Sequence, residues 1–199
     1  MDGGALSKTL AGMARELVGR HPGMAGTVFI GIRSRGVPLA RRLARLVKEA
    51  GGVEPRVGAL DITLYRDDLT RIAPNPVMKG TDIPFSIDGQ TVVLVDDVLY
   101  TGRTVRGALD ELIDFGRPAR IELAVLVDRG HRELPIRADY VGRTVATSPD
   151  ANVQVMLREE DGEDRVLLID SQPRVEPPPP RARSGAARRR TPSRRRERA

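Results

Sequence analysis

The chain contains no cysteine and no tryptophan, and only 3% of its 199 residues are aromatic. Without cysteine there is neither a disulfide framework nor a thiolate metal site, and a reducing compartment is compatible. Without many aromatics the core is aliphatic, mostly Val, Leu and Ile, which suits a parallel α/β sheet. No apolar run approaches membrane-spanning length, and the N-terminus, MDGGALSKTLAGMAREL, lacks a basic region followed by an apolar core. The expectation is a cytoplasmic protein with no membrane partner.

Positive charge is also scarcer than it first looks. The formal net charge is +6, yet residues 171–199 hold ten arginines against Glu176 and Glu197, a net +8, which leaves residues 1–170 at −2. Nucleic-acid binding by the body therefore has to rest on a local patch. The tail, with PPPP and two RRR runs, has no apolar pattern with which to fold, so residues 171–199 are expected to be a disordered Pro/Arg-rich extension with non-specific affinity for polyanions. Residues 1–170, in a chain that is 40% hydrophobic, can bury one sizeable core.

What the chain does have is a stretch around which the rest is organised, residues 92–104, VVLVDDVLYTGRT. Val92, Val93, Leu94 and Val95 read as a strand buried on both faces, ending at Asp96 and Asp97. Val98, Leu99 and Tyr100 lead to Thr101, Gly102, Arg103 and Thr104. Apolar residues then follow at helical spacing, Val105, Leu109, Leu112 and Ile113, with Thr104 as the expected N-cap and Gly116 and Pro118 as stop signals. Free N–H groups at a helix start favour an anion, and Gly102 lets a phosphate approach the main chain. The acidic pair asks instead for a sugar diol, or for Mg²⁺ held through water. A ribose with a phosphate on one arm satisfies both. There is no Gly-Lys-Ser/Thr of a Walker A loop, and the glycine spacing is not that of a dinucleotide fingerprint.

The remaining elements alternate. Leu6, Leu10, Met13, Ala14 and Leu17 mark a first helix over 5–20. Residues 27–32 (TVFIGI) form a strand running into GIRSRG, where Arg33, Ser34 and Arg35 make a second candidate phosphate loop. Leu39, Leu43, Leu46, Val47 and Ala50 mark a helix, 56–64 a strand, and 120–127 (RIELAVLV) another buried strand. In an open α/β sheet the loops after residues 32 and 97 can share a crevice. Residues 65–90 read as a long functional loop. Polar residues concentrated in 128–140 suggest a hood over the site. Residues 152–157 and 165–169 read as a closing hairpin whose acidic turn needs no function.

The stretch 92–104 resembles the phosphoribosyl-pyrophosphate (PRPP) signature of type I phosphoribosyltransferases. The wording DDVLYTGRT, with DRGHRELPIRADYVG further on, is most similar to the PyrR family, bifunctional pyrimidine-operon regulators and uracil phosphoribosyltransferases. The resemblance covers about residues 5–170. It implies the type I phosphoribosyltransferase fold, a mostly parallel open sheet flanked by helices with a small hood, and a homo-oligomer, dimer or higher. It implies conversion of uracil and PRPP to UMP and diphosphate with Mg²⁺. Arg33, Ser34 and Arg35 would form the pyrophosphate loop, Arg66 would join from a flexible loop that begins at Tyr65, Arg66, Asp67 and Asp68, and residues Val92 to Thr104 would hold the PRPP. Asp96, Asp97 and Arg35 would be catalytic, with Asp96 and Asp97 reaching the metal through PRPP or water. Val127, Asp128 and Arg129 would meet the uracil.

The resemblance also implies a regulator that binds pyrimidine-gene leader mRNA in response to uridine nucleotides such as UMP and UTP, with Arg15, Arg132, Arg137 and Arg143 on the RNA face. Arg143 replaces what is commonly lysine, and Ala11 and Gly12 stand where polar or basic residues are common. His131 is given a structural or RNA-facing role. The second functional class is a salvage uracil phosphoribosyltransferase without specific RNA binding.

Overall fold

The computed structural model describes residues 1–63 and 80–169. The strands β1 (Thr27–Ile32), β2 (Arg56–Leu60), β3 (Thr91–Leu99), β4 (Arg120–Asp128) and β5 (Tyr140–Thr144) form one sheet. Its order is β2-β1-β3-β4-β5, and every neighbouring pair is parallel. The flanking helices are α1 (Gly3–Arg20), α2 (Gly36–Glu49) and α3 (Arg103–Asp114). An antiparallel hairpin of β6 (Asn152–Met156) and β7 (Arg165–Ile169) follows, with a one-turn helix α4 (Arg158–Asp161) at its tip.

Both faces of the sheet are covered, which is why its central strands read as unbroken apolar runs. Val93 and Val95 join Phe29, Ala124 and Leu126 under α1 and α2. Their alternates Val92 and Leu94 join Val28, Ile30 and Val125 against Val105 and Leu112 of α3. Each such side chain, fully buried, contributes about 1.5–3 kcal/mol. The first helix starts at an Asp2 cap, whose carboxylate accepts from Ala5 N at 2.8 Å, and buries the five residues its periodicity marks.

The sheet has a switch point between β1 and β3. From β1 the chain crosses to one edge at β2, and from β3 it proceeds to the other through β4 and β5. Loops leaving the carboxyl ends of β1 and β3 therefore diverge and open a crevice between them.

Three boundaries differ from the sequence reading. β2 ends at Leu60 because Asp61 turns the chain, its Oδ1 accepting from Thr63 N and its Oδ2 from Gly80 N, each at 3.0 Å. α2 begins at Gly36, before its first marked leucine. The fifth strand, β5, follows the segment expected to be a hood and was not marked in the sequence reading. It is a short edge strand, and beyond Tyr140 its side chains are half-buried or exposed, so no alternation announces it. The segment that includes Tyr65, Arg66, Asp67 and Asp68, and the tail 171–199, lie outside the described residues.

Candidate active site

The acidic pair stands where β3 loses a neighbour. β1 pairs with β3 only as far as Gly31 opposite Val95, whereas β4 accompanies it to Leu99 opposite Asp128. Asp96 is buried and its Oδ1 accepts from Asp97 N at 2.9 Å, and Asp97 Oδ1 accepts from Val98 N at 2.9 Å. Burial pushes the Asp97 carboxyl above the usual range, and the Val98 hydrogen bond and the Arg35 charge offset this only in part. Such a carboxylate gains from an incoming cation or from hydroxyl donors.

The loop after β1 lies directly against this pair. A side chain at Gly36 would bring its Cβ to 2.3 Å from the Val95 carbonyl oxygen, so only glycine lets the start of α2 rest on the end of β3. The peptide between Arg33 and Ser34 is cis. Ser34 is exposed, and Arg33 Nε donates to Gly80 O at 2.9 Å. Arg35 Nε and Nη2 donate to the Asp161 carboxylate at 3.1 and 2.7 Å.

The loop after β3 forms the opposite wall. The N-cap of α3 is Gly102, at φ 93°, and the helix begins at Arg103, so Thr104 sits in the first turn and is not the cap. Glycine takes this left-handed conformation without steric cost and offers no capping side chain, and Thr101 Oγ1 accepts from Arg103 N, the first N–H of α3, at 3.4 Å. Arg35, Asp97 and this helix start thus bring together a cation, an anion and an anion-binding main chain, the combination a phosphorylated ribose needs.

A phosphoribosyl transferase domain matches residues 2–160. The chain is 56% identical over 171 residues to the bifunctional protein PyrR of Pelotomaculum thermopropionicum, covering 86% of this chain and 94% of the relative. It is 57% identical over 168 residues to the bifunctional protein PyrR of Thermus thermophilus, covering 84% and 93%. The chain belongs to the PyrR family of phosphoribosyltransferases. Among solved structures, the hypoxanthine phosphoribosyltransferase of Trypanosoma cruzi shares the fold, with a TM-score of 0.64, 19% identity and coverage of 86% and 95%.

In this PyrR-family chain the segment after β4 is strapped to the loop after β3. Thr101 O accepts from Glu133 N at 3.0 Å and Leu134 N at 3.2 Å, and Arg103 Nε donates to Glu133 at 2.8 Å. Arg129 is buried, its guanidinium 4.0 Å over the Tyr100 ring, with Nη2 donating to Ser148 O and Pro149 O at 3.0 and 3.2 Å. Its Nε is buried without a hydrogen-bond partner among the described residues. The Val127 side chain is wholly inside the core, so main-chain groups are what it can offer a base, and Asp128 is occupied by Gly130 N at 2.9 Å and by Arg132.

The four arginines assigned to RNA do not share one environment. Arg15 on α1, Arg137 in the hood and Arg143 on β5 are exposed. Arg132 is turned inward, with Nη1 donating to Tyr100 O at 2.8 Å and Gly130 O at 3.0 Å, Nε to Ile136 O at 3.0 Å, and Nη2 to Asp128. Those bonds hold the hood on the phosphate loop. His131, at φ 58°, pairs through Nε2 with Thr147 O at 2.7 Å, which ties two hood loops together.

Among the described residues no group of three or more His, Asp or Glu is arranged to hold a metal ion. Two adjacent carboxylates with open crevice beside them fit instead a Mg²⁺ that arrives with its substrate and keeps several waters.

The acidic turn is the feature the sequence reading missed. Besides Asp161 on Arg35, it supplies Glu159 and Asp164 to Arg42 of α2, at 2.8 Å from Nε and 2.7 Å from Nη2 respectively. The density of acids in residues 159–164 was visible, but nothing local pairs it with arginines more than a hundred positions earlier.

Proposed function

We propose that the protein transfers a phosphoribosyl group from PRPP to uracil, releasing UMP and diphosphate, and that it regulates pyrimidine-gene expression by binding leader mRNA in response to uridine nucleotides. The observation that carries the reading is the switch point between β1 and β3, where the loop bearing Arg35 rests on the end of the strand bearing Asp97 and a left-handed Gly102 opens α3. The relatives bearing the bifunctional PyrR name support the pairing of an enzyme with a second task.

In the reaction the bond from ribose C1 to the diphosphate oxygen breaks and a bond from C1 to uracil N1 forms, with the N1 proton passing to the departing diphosphate or to solvent. Positive charge spreads over C1 and the ring oxygen in the transition state, as in glycoside chemistry. Arg33 and Arg35 stabilise the diphosphate as its charge grows. Asp96 and Asp97 accept hydrogen bonds from the ribose hydroxyls and hold the ring for in-line attack. The 5′-phosphate rests on the first turn of α3, so binding energy far from C1 is available to orient it. Asp96 and Asp97 would hold Mg²⁺ through PRPP or water, and the ion would supply charge neutralisation at the diphosphate. The hood covers the base, with main-chain groups from Val127 to Arg129 along its edge.

The regulatory task uses the same site as a sensor. A nucleotide that prefers the RNA-competent conformation raises RNA affinity by linkage, and RNA raises nucleotide affinity by the same factor. Arg15, Arg137 and Arg143 supply cationic groups for phosphate contacts.

Two assays test this. With PRPP and Mg²⁺, the protein is expected to form UMP from uracil and to leave orotate and hypoxanthine unused; turnover of a purine instead would overturn the substrate assignment. Binding of full-length chain and residues 1–171 to the chain's own pyrimidine-gene leader RNA, with and without UMP and across a salt series, tests regulation. Nucleotide-enhanced, sequence-selective binding by residues 1–171 is expected. Binding that vanishes with the tail would mean non-specific electrostatics and leave a salvage enzyme.

A further inference from the structure

We propose that Asp161, at the tip of the β6–β7 hairpin, is a positioning residue for the transferase: it fixes the guanidinium of Arg35 so that its unused N–H groups face the leaving diphosphate. This rests on reading residues 33–35 as the pyrophosphate loop.

Asp161 grips Arg35 along one edge, Oδ2 with Nε at 3.1 Å and Oδ1 with Nη2 at 2.7 Å. A guanidinium carries five N–H bonds in a rigid plane, so this fork uses two and leaves three, on Nη1 and Nη2, aimed away from the hairpin. Arg35 also feels the charge of Asp97, so the acidic pair lies within electrostatic reach of that guanidinium. Asp161 is itself held. Its Oδ2 accepts from Leu157 N at 2.8 Å, and Leu157 is fully buried in the main core. On either side of it Glu159 and Asp164 are locked to Arg42 of α2, so the hairpin tip and the loop it supports are attached to the same helix. Asp161 is only 17% exposed, against 34% for Arg35, as fits a fixed carboxylate holding a side chain that must still reach a ligand. Without the carboxylate, Arg35 would have to be ordered by each incoming PRPP.

The test is steady-state kinetics of the full-length protein in both directions. Asp161→Asn is expected to raise KM for PRPP and for diphosphate by about tenfold, the scale on which groups that orient a binding residue act, with KM for uracil and the thermal midpoint little changed and kcat within about threefold. Asp161→Glu restores part of the loss. Glu159→Gln, which loosens the same turn without touching Arg35, leaves the PRPP KM where it was. An Asp161→Asn enzyme whose PRPP KM is unchanged or lower, while Arg35→Ala raises it, overturns the proposal, a lower KM meaning that Asp161 competes with the ligand for Arg35. If Arg35→Ala itself leaves the PRPP KM unaltered, the reading of the pyrophosphate loop fails and the proposal with it.

Discussion

Two carboxylates lie near opposite ends of the same sheet, Glu122, buried, near the start of β4 and Asp97, half-buried, near the end of β3, and their surroundings differ in kind. Glu122 is surrounded by donors. Tyr140 Oη donates to its Oε2 at 2.8 Å, His21 Nε2 lies 2.7 Å from the same oxygen, and Arg120 reaches Oε1 at 3.2 Å. Burial alone would raise its pKa, but these hydrogen bonds together win and leave it below the usual carboxylate range. At Asp97 the balance runs the other way, with burial dominant and the carboxyl shifted up. A buried acid whose environment is complete serves the fold, whereas one that the chain leaves under-compensated is where an outside group finishes the set.

The sharpest way to break this contrast is Asp97→Asn. Loss of the charge proposed to orient ribose and the metal-bearing substrate is expected to lower kcat/KM for uracil phosphoribosylation by about 10²–10³-fold. Stability should move in the opposite direction. A carboxyl with a raised folded pKa binds its proton more tightly in the native state, so its contribution falls as pH rises from the unfolded value through the folded one. The ligand-free variant should therefore melt at a higher temperature than wild type near neutral pH, with the gap closing in acid. A variant that is less stable at neutral pH would show that Asp97 is as fully compensated as Glu122.

Glu122→Gln probes the other end. It should leave kcat and both KM values unaltered and cost about 1–3 kcal/mol in denaturant unfolding, since it disturbs donors that are buried with it. Because the folded pKa of Glu122 lies below its unfolded value of about 4.3, its stabilisation is complete above that pH and is lost as pH falls through the folded value. The difference between wild type and variant should accordingly shrink below about pH 4, and a constant difference would place the effect in packing.

Arg42→Ala sits between the two ends, at the hairpin tip. Its guanidinium holds both the Glu159 and Asp164 carboxyls below their usual range. Removing it should cost about 1 kcal/mol, since Glu159 is partly solvent-exposed, with the loss again fading in acid. It should leave the PRPP KM close to the wild-type value, as Glu159→Gln does, because the pair of Asp161 with Arg35 stays intact.

How much of this was legible in the sequence follows from the range of each interaction. The parallel sheet and the strands β1, β3 and β4 announce themselves through uninterrupted apolar runs, and the acidic pair and phosphate loop through residues adjacent in the chain. Hidden features depend on distant partners. Asp161 reaches back 126 positions to Arg35, and Glu122 gains His21 from 101 positions earlier. Arg132 reads as a surface cation, and only the fold supplies the carbonyls of Tyr100 and Gly130 that turn it inward. The helix cap slipped for a local reason: Thr104 has cap chemistry, but Gly102 two residues earlier makes the left-handed turn from which α3 starts.

The smallest expected effect separates the RNA surface from both ends of the sheet. Arg137 is exposed in the hood, in contrast to Arg132 in the same loop, whose donors are engaged within the chain. Arg137→Ala should leave transferase kinetics and thermal stability unchanged and weaken leader-RNA binding by a few-fold, lowering the slope of log affinity against log salt by about one unit if it neutralises a single phosphate. Arg132→Ala should instead affect stability and transferase KM values before RNA, because the hood would lose its hold on the phosphate loop. Equal RNA defects in the two variants with kinetics intact in both would mean that Arg132 leaves its internal partners to meet RNA, and that the hood rearranges when the leader binds.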